Sequence, residues 1–252
     1  MKLINCAQLS PAWFQAHCGV VTASSMAALL SFSKERVLKS GEVRGGEPLA
    51  KRKAYLDRKI GELLTGIVVQ DNYVSTEMMD GIEREASGRA AYELEEDVMV
   101  EEVGFGMHET IARFGASPDG LIGLSGGLEL KCPKPSTHQR WIRSQVIPPD
   151  HIDQIDSCIA VFEREWWDFS MFCPLVPKEM QLVTIRRFRD DKRIAEIEWN
   201  VSEFNELADQ AIEELRSICG PFELPAAVSV IQRDTDDFGD LGITDSDLAF
   251  LD

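Results

Sequence analysis

The chain has no apolar run approaching the ~18 residues that cross a bilayer. Its opening, Met1-Lys2-Leu3-Ile4-Asn5-Cys6, lacks the long apolar stretch of a secretory signal. The six cysteines, at 6, 18, 132, 158, 173 and 219, contain no C-x-x-C pair, which argues against a zinc site and a disulfide framework. Several sit in apolar runs, where a free thiol packs as a small hydrophobe, so a reducing cytoplasm is the expected compartment. Positive charge is scarce: 26 Lys and Arg stand against 43 Asp and Glu, for a net −17. Seven aspartates and no lysine or arginine fall in residues 234–252, which leaves −10 on residues 1–233. A body that acidic can meet a polyanion only through a small basic surface. Lys51-Arg52-Lys53, Arg58-Lys59 and Arg186-Arg187-Arg189 are the candidates for one.

What is present is 252 residues with 44% hydrophobic content, enough for one substantial core. We expect a single domain over 1–222 and an acidic, flexible tail over 223–252. The tail interleaves its acids with Phe238, Leu241, Ile243, Leu248, Phe250 and Leu251. That pattern suits either a docking segment that orders on a partner or a solubilising tail.

Residues 117–133 carry the chemistry. Ser117-Pro118-Asp119-Gly120 precedes a short apolar and glycine stretch, then Gly127-Leu128-Glu129-Leu130-Lys131-Cys132-Pro133. In a strand, Glu129 and Lys131 share one face while Leu128 and Leu130 share the other. A tight strand pair would bring Asp119 beside them. Two carboxylates and an ammonium meeting at one point suit a hard divalent cation and an activated water, as in a magnesium-dependent phosphodiesterase. Asp57-Arg58-Lys59 has helical periodicity, where residues two apart do not share a face. Asp190-Asp191-Lys192 lies between strand-like runs and reads as a solvated turn.

Ser10-Pro11 reads as a cap and first turn of a helix ending near Cys18, with a second helix starting at Thr22-Ala23-Ser24-Ser25. A glycine-rich loop spans 33–48, followed by helices over 49–65 and 75–94, the second holding Glu85. Strands are expected at 97–103, 111–116, 119–123 and 127–132, then helices at 136–145 and 150–164. Strands at 166–173, 181–189 and 193–199 and a helix at 202–218 complete the pattern. The order implies an α/β or α+β domain with a mixed central sheet flanked by helices. Most of the five tryptophans are expected in the core, with Trp141 the candidate for contact with an unpaired strand. His108, His138 and His151 receive no role.

The Ser117–Leu121 and Gly127–Pro133 segments resemble the core of the bacteriophage lambda exonuclease family, recombination nucleases of the PD-(D/E)xK superfamily. Gly19-Val20-Val21-Thr22-Ala23-Ser24, the pair Gly81 and Glu85, and Gln154 match in the same order, over roughly residues 10–220. The resemblance implies a magnesium-dependent exonuclease acting processively on double-stranded DNA ends. It would work 5′ to 3′ in a bacterial host cytoplasm and leave 3′ single strands for an annealing protein. It implies a toroidal homotrimer, one or two Mg2+ ions with Mn2+ as a substitute, and catalytic Glu85, Asp119, Glu129 and Lys131. The metal ligands would be Asp119, Glu129, the Leu130 carbonyl and Glu85. Thr22, Ser24, Ser117 and Gln154 would line a 5′-phosphate pocket. His17 stands where the family usually has an arginine, so a partly charged histidine would serve that pocket. Asp156 stands where relatives often have a second glutamine. The same chemistry would also suit an endonuclease or junction resolvase, and a non-catalytic recombination scaffold is the reading from another class.

Overall fold

The computed structural model describes residues 2–37, 43–68 and 76–227. The first part carries β1 (Lys2–Ile4), α1 (Pro11–His17), β2 (Val21–Thr22), a 3-10 turn at Ala23–Ser25 and α2 (Met26–Leu29). It continues with β3 (Arg36–Val37), β4 (Val43–Arg44), α3 (Ala50–Thr65) and α4 (Thr76–Glu96). Then come β5 (Val100–Glu101), β6 (Phe105–Met107), β7 (Phe114–Ala116), β8 (Gly120–Ile122) and β9 (Gly126–Lys131). Helices α5 (Pro135–Ser144) and α6 (Pro149–Phe162), strands β10 (Trp166–Phe172) and β11 (Leu182–Phe188), and helix α7 (Asp191–Cys219) follow.

The main sheet has the order β11-β10-β9-β8-β5, with β9 and β10 parallel and the other pairs antiparallel. Two parallel neighbours cannot be joined by a tight hairpin, and α5 and α6 form the crossover. A second sheet, β1-β6-β7-β2, lies beside it. Helix α6 is the central beam. Its Ile155, Cys158, Ile159 and Val161 are wholly buried, in one cluster with Phe169 and Met171 of β10 and Ile197 and Val201 of α7. On the other face of the main sheet, Tyr92 of α4 packs with Ile122, Leu128, Leu130 and Phe172. The sheet is therefore mixed and flanked by helices, as its sequence pattern implies.

The expected strand at 193–199 is instead the start of α7. Ile194, Ile197, Val201, Phe204, Ala208 and Ile212 recur every three or four residues and are all buried. That spacing makes one helical stripe. Asp190, expected in a solvated turn, caps this helix: its side chain accepts from the N–H groups of Lys192 at 3.0 Å and Arg193 at 3.3 Å. The expected strand at 111–116 shortens because Arg113 adopts a left-handed conformation, φ 52°.

Past residue 222 the chain stays on the domain for a few residues, with Gln15 Nε2 donating to the Ala227 carbonyl at 2.6 Å. Residues 228–252, most of the expected tail, lie outside the described residues. All six cysteines are free thiols. Among the described residues no helix is long and apolar enough to cross a membrane.

Candidate active site

The hairpin of β8 and β9 pairs only Gly120–Ile122 with Gly126–Leu128. One residue further out, Pro118 has no N–H to donate and the ladder stops. The Asp119 side chain takes over, its Oδ2 accepting the Leu130 N–H at 2.7 Å. On the same side, Lys131 Nζ stands 2.5 Å from Glu129 Oε1, with the Glu129 side chain wholly buried and that of Lys131 31% exposed. Leu128 and Leu130 point into the opposite cluster. The strand alternation thus brings Asp119, Glu129 and Lys131 together.

Gln154 joins them from α6, its Nε2 donating to Glu129 Oε1 at 2.7 Å. The other oxygen, Oε2, is buried and has no hydrogen-bond partner. A buried carboxyl oxygen without a donor is costly, and a cation is the natural group to satisfy it. Among the described residues no three His, Cys, Asp or Glu side chains close into a ready-made metal cage. Magnesium needs no such cage, since it keeps several waters and takes one or two protein carboxylates. The donor set therefore fits a hard cation.

The electrostatics agree with this fit. Burial, then the neighbouring Glu129, push the Asp119 carboxyl up to about 7. Burial works against the Lys131 ammonium, but Glu129 and Asp119 outweigh it and hold the pKa above the ordinary lysine value. Glu85, half-buried on α4, is raised first by burial and then by Asp119, with Lys131 and Arg89 opposing. Its charge thus reaches the same site from the helix side. The seat of α4 is close because Gly88, one turn beyond Glu85, lies against the strands. A Cβ there would meet Leu130 Cδ2 at 3.0 Å and Phe172 Cβ at 3.1 Å.

The residues expected at a phosphate pocket divide. Thr22 Oγ1 lies 3.3 Å from both Ser24 Oγ and Ser25 Oγ, and its N–H donates to the Tyr55 hydroxyl at 3.3 Å. The Ala23–Ser25 turn packs on α6 and β7. Ser117, one residue past β7, accepts from Trp13 Nε1 at 2.7 Å. Gln154 belongs with Glu129 rather than with these hydroxyls. His17 is corrected: it is no partly charged phosphate ligand. Its ring is buried between Trp13 and Phe105, at centroid distances of 3.7 and 4.2 Å, and its Nδ1–H donates to the Trp13 carbonyl at 2.6 Å. Burial pulls its pKa down to about 4, so the ring is neutral near pH 7.

The basic clusters are corrected as well. Arg52 is buried, bonded to the Leu29 carbonyl and Glu203 at 2.5 Å each. Lys59 pairs with buried Glu62 at 2.7 Å. Arg186 and Arg187 are taken by Asp168 and Asp156, and Arg189 by Asp191. Most of these cations hold the fold together. Trp141 packs against the core rather than standing free, whereas Trp199 is 64% exposed. Two participants were missed. Tyr55 carries no local signal in the sequence, but His151 sits three residues before Gln154, on the same face of α6.

No curated protein matches the chain. Among solved structures, an alkaline exonuclease from Laribacter hongkongensis is 36% identical. The match covers 82% of this chain and 96% of that one, with a TM-score of 0.71. The same enzyme in complex with dAMP gives 36% identity and a TM-score of 0.72 over the same shares. A phage-related exonuclease from Haemophilus somnus 129PT is 13% identical with a TM-score of 0.57, over 78% of this chain and 96% of that one, and shares the fold alone. Residues 12–165, which hold every expected site residue, match the YqaJ-like viral recombinase domain. The chain belongs to the YqaJ-like viral recombinase family.

Proposed function

We propose that this protein is a magnesium-dependent exonuclease of double-stranded DNA. In this reading it works 5′ to 3′ and processively and supplies 3′ single strands for recombination by annealing. The observation that carries the reading is the meeting of Asp119, Glu129 and Lys131 around a buried carboxyl oxygen that lacks a donor. The related alkaline exonuclease, solved with dAMP, supports a site that accepts a deoxynucleoside monophosphate.

Asp119, Glu129 and the Leu130 carbonyl would hold Mg2+, with Glu85 holding a second ion or its water; Mn2+ is the expected substitute. The bound metal supplies Lewis-acid polarisation of the phosphoryl oxygen and a more acidic water. Lys131 orients the attacking water and stabilises negative charge on the phosphate. Its raised pKa favours this role over that of general base. Gln154 and Lys131 hold one Glu129 oxygen in place. Thr22, Ser24 and Ser117 supply neutral donors for a terminal 5′-phosphate, with no charge from His17. A ring-shaped trimer and an annealing partner complete the proposal.

A time course on linear duplexes with 5′-phosphate, 5′-hydroxyl or recessed ends, beside a sealed circle, tests it. Digestion should need Mg2+, spare the circle and prefer the 5′-phosphate. Cutting of the circle would turn the reading to an endonuclease. Equal consumption of phosphorylated and hydroxyl ends would remove the phosphate pocket.

A further inference from the structure

We infer that His151 is a positioning residue that orients the Gln154 amide and thereby selects which Glu129 oxygen faces the cation. This rests on Glu129 being a cation ligand, as proposed above. The two side chains are hydrogen-bonded across one turn of α6. The ring is itself held, edge-on to Trp141 at 5.6 Å and tilted on Phe169 at 5.1 Å.

The reason lies in the asymmetry of an amide. One end of Gln154 donates and the other only accepts. Flipped, its carbonyl would face Glu129 Oε1, acceptor against acceptor. An imidazole N–H that engages the Gln154 carbonyl disfavours that arrangement and leaves Nε2 pointing at Glu129, where it lies 2.7 Å from Oε1. Lys131 approaches the same oxygen at 2.5 Å. Two donors on Oε1 fix the carboxyl group's rotation and reserve Oε2, which has no partner, for the ligand. Groups that orient a metal's direct ligands commonly set its affinity by about 10–100-fold.

The experiment uses the full chain and has two readouts. One is Mn2+ binding without DNA, followed by paramagnetic resonance of the free ion. The other is the Mg2+ concentration for half-maximal digestion. His151→Phe keeps the ring packing and removes the bond. It should weaken Mn2+ binding about tenfold and raise the Mg2+ requirement equally, with kcat at saturating Mg2+ within about twofold. His151→Gln, which can still donate to Gln154, should recover most of the loss. Gln154→Met should match His151→Phe, and the double variant should lose no more than either alone. Thermal melting confirms that each variant is folded; if His151→Phe is not, the His151→Gln and Gln154→Met pair decides. Wild-type Mn2+ affinity in His151→Phe or in Gln154→Met, or a full additive loss in the double variant, overturns the inference. If Glu129→Gln also leaves Mn2+ binding untouched, the cation site itself fails.

Discussion

Asp168 and Glu129 are both buried carboxyl groups on adjacent parallel strands, one residue out of register, with opposite surroundings. Asp168 pairs with Leu128 in the ladder and so faces α4. There it accepts from the Tyr92 hydroxyl at 2.7 Å and from Arg186 Nε and Nη2 at 2.8 Å each. Both of its oxygens are satisfied, and Arg186 lies flat over Trp166, 3.7 Å from the ring centroid. Glu129 faces α6 with one oxygen doubly engaged and the other bare. Burial alone therefore does not mark a functional carboxylate; incomplete satisfaction does.

The sharpest way to break this contrast is to neutralise each side. Glu129→Gln and Lys131→Ala should each lower kcat by roughly 10³-fold, a loss typical for groups that stabilise a transition state, and leave the melting temperature close to wild type. Single-turnover assays and thermal melts check both halves. Lys131→Ala should retain most DNA binding, read by fluorescence anisotropy with Ca2+ in place of Mg2+. Asp168→Ala should do the reverse. It leaves Arg186 beside an apolar strand and costs about 3–5 kcal/mol in urea unfolding, while the remaining folded protein digests DNA at the wild-type rate.

A third test concerns His17, buried and fully hydrogen-bonded in the manner of Asp168. Its folded pKa of about 4 lies below the ordinary 6.5. Above pH 6.5 neither state binds the proton and the group has no effect. As pH falls toward 4 the unfolded chain takes a proton that the folded one refuses, so stability drops by about 3 kcal/mol and then levels. His17→Phe should flatten this limb in pH-dependent urea melts. The smallest effect falls on the site itself. Because Asp119 is raised to about 7, digestion at limiting Mg2+ should fall about tenfold per pH unit below that value. Raising Mg2+ should move the midpoint to lower pH; a midpoint indifferent to Mg2+ would separate Asp119 from the cation.

Much of this was legible in the sequence because it depends on period two and on neighbours in the chain. Glu129, Lys131 and Asp119 meet through strand alternation and one tight hairpin, and α4, α5 and α6 follow from their caps and prolines. The misreadings have a common source, which is pairing between distant segments. Arg186 and Arg187 look like a basic patch until Asp168 and Asp156 are brought beside them by a parallel strand and a buried helix. His17 looks like a cation until Phe105, from another sheet strand, closes over it. Residues 193–199 look like a strand only in isolation. Their apolar positions join a longer helical stripe whose beginning, Asp190, resembles a turn.

Gly88 has a consequence for how this site could be tuned. It is a spacer of no thickness between a helix and the strands beneath it, one turn from Glu85. Even a methyl group there would prise the two layers apart by a few tenths of an ångström and carry Glu85 outward. The reach of that carboxylate is thus governed by a position remote from any reactant, and exchange at Gly88 would act as a vernier on the cation's coordination.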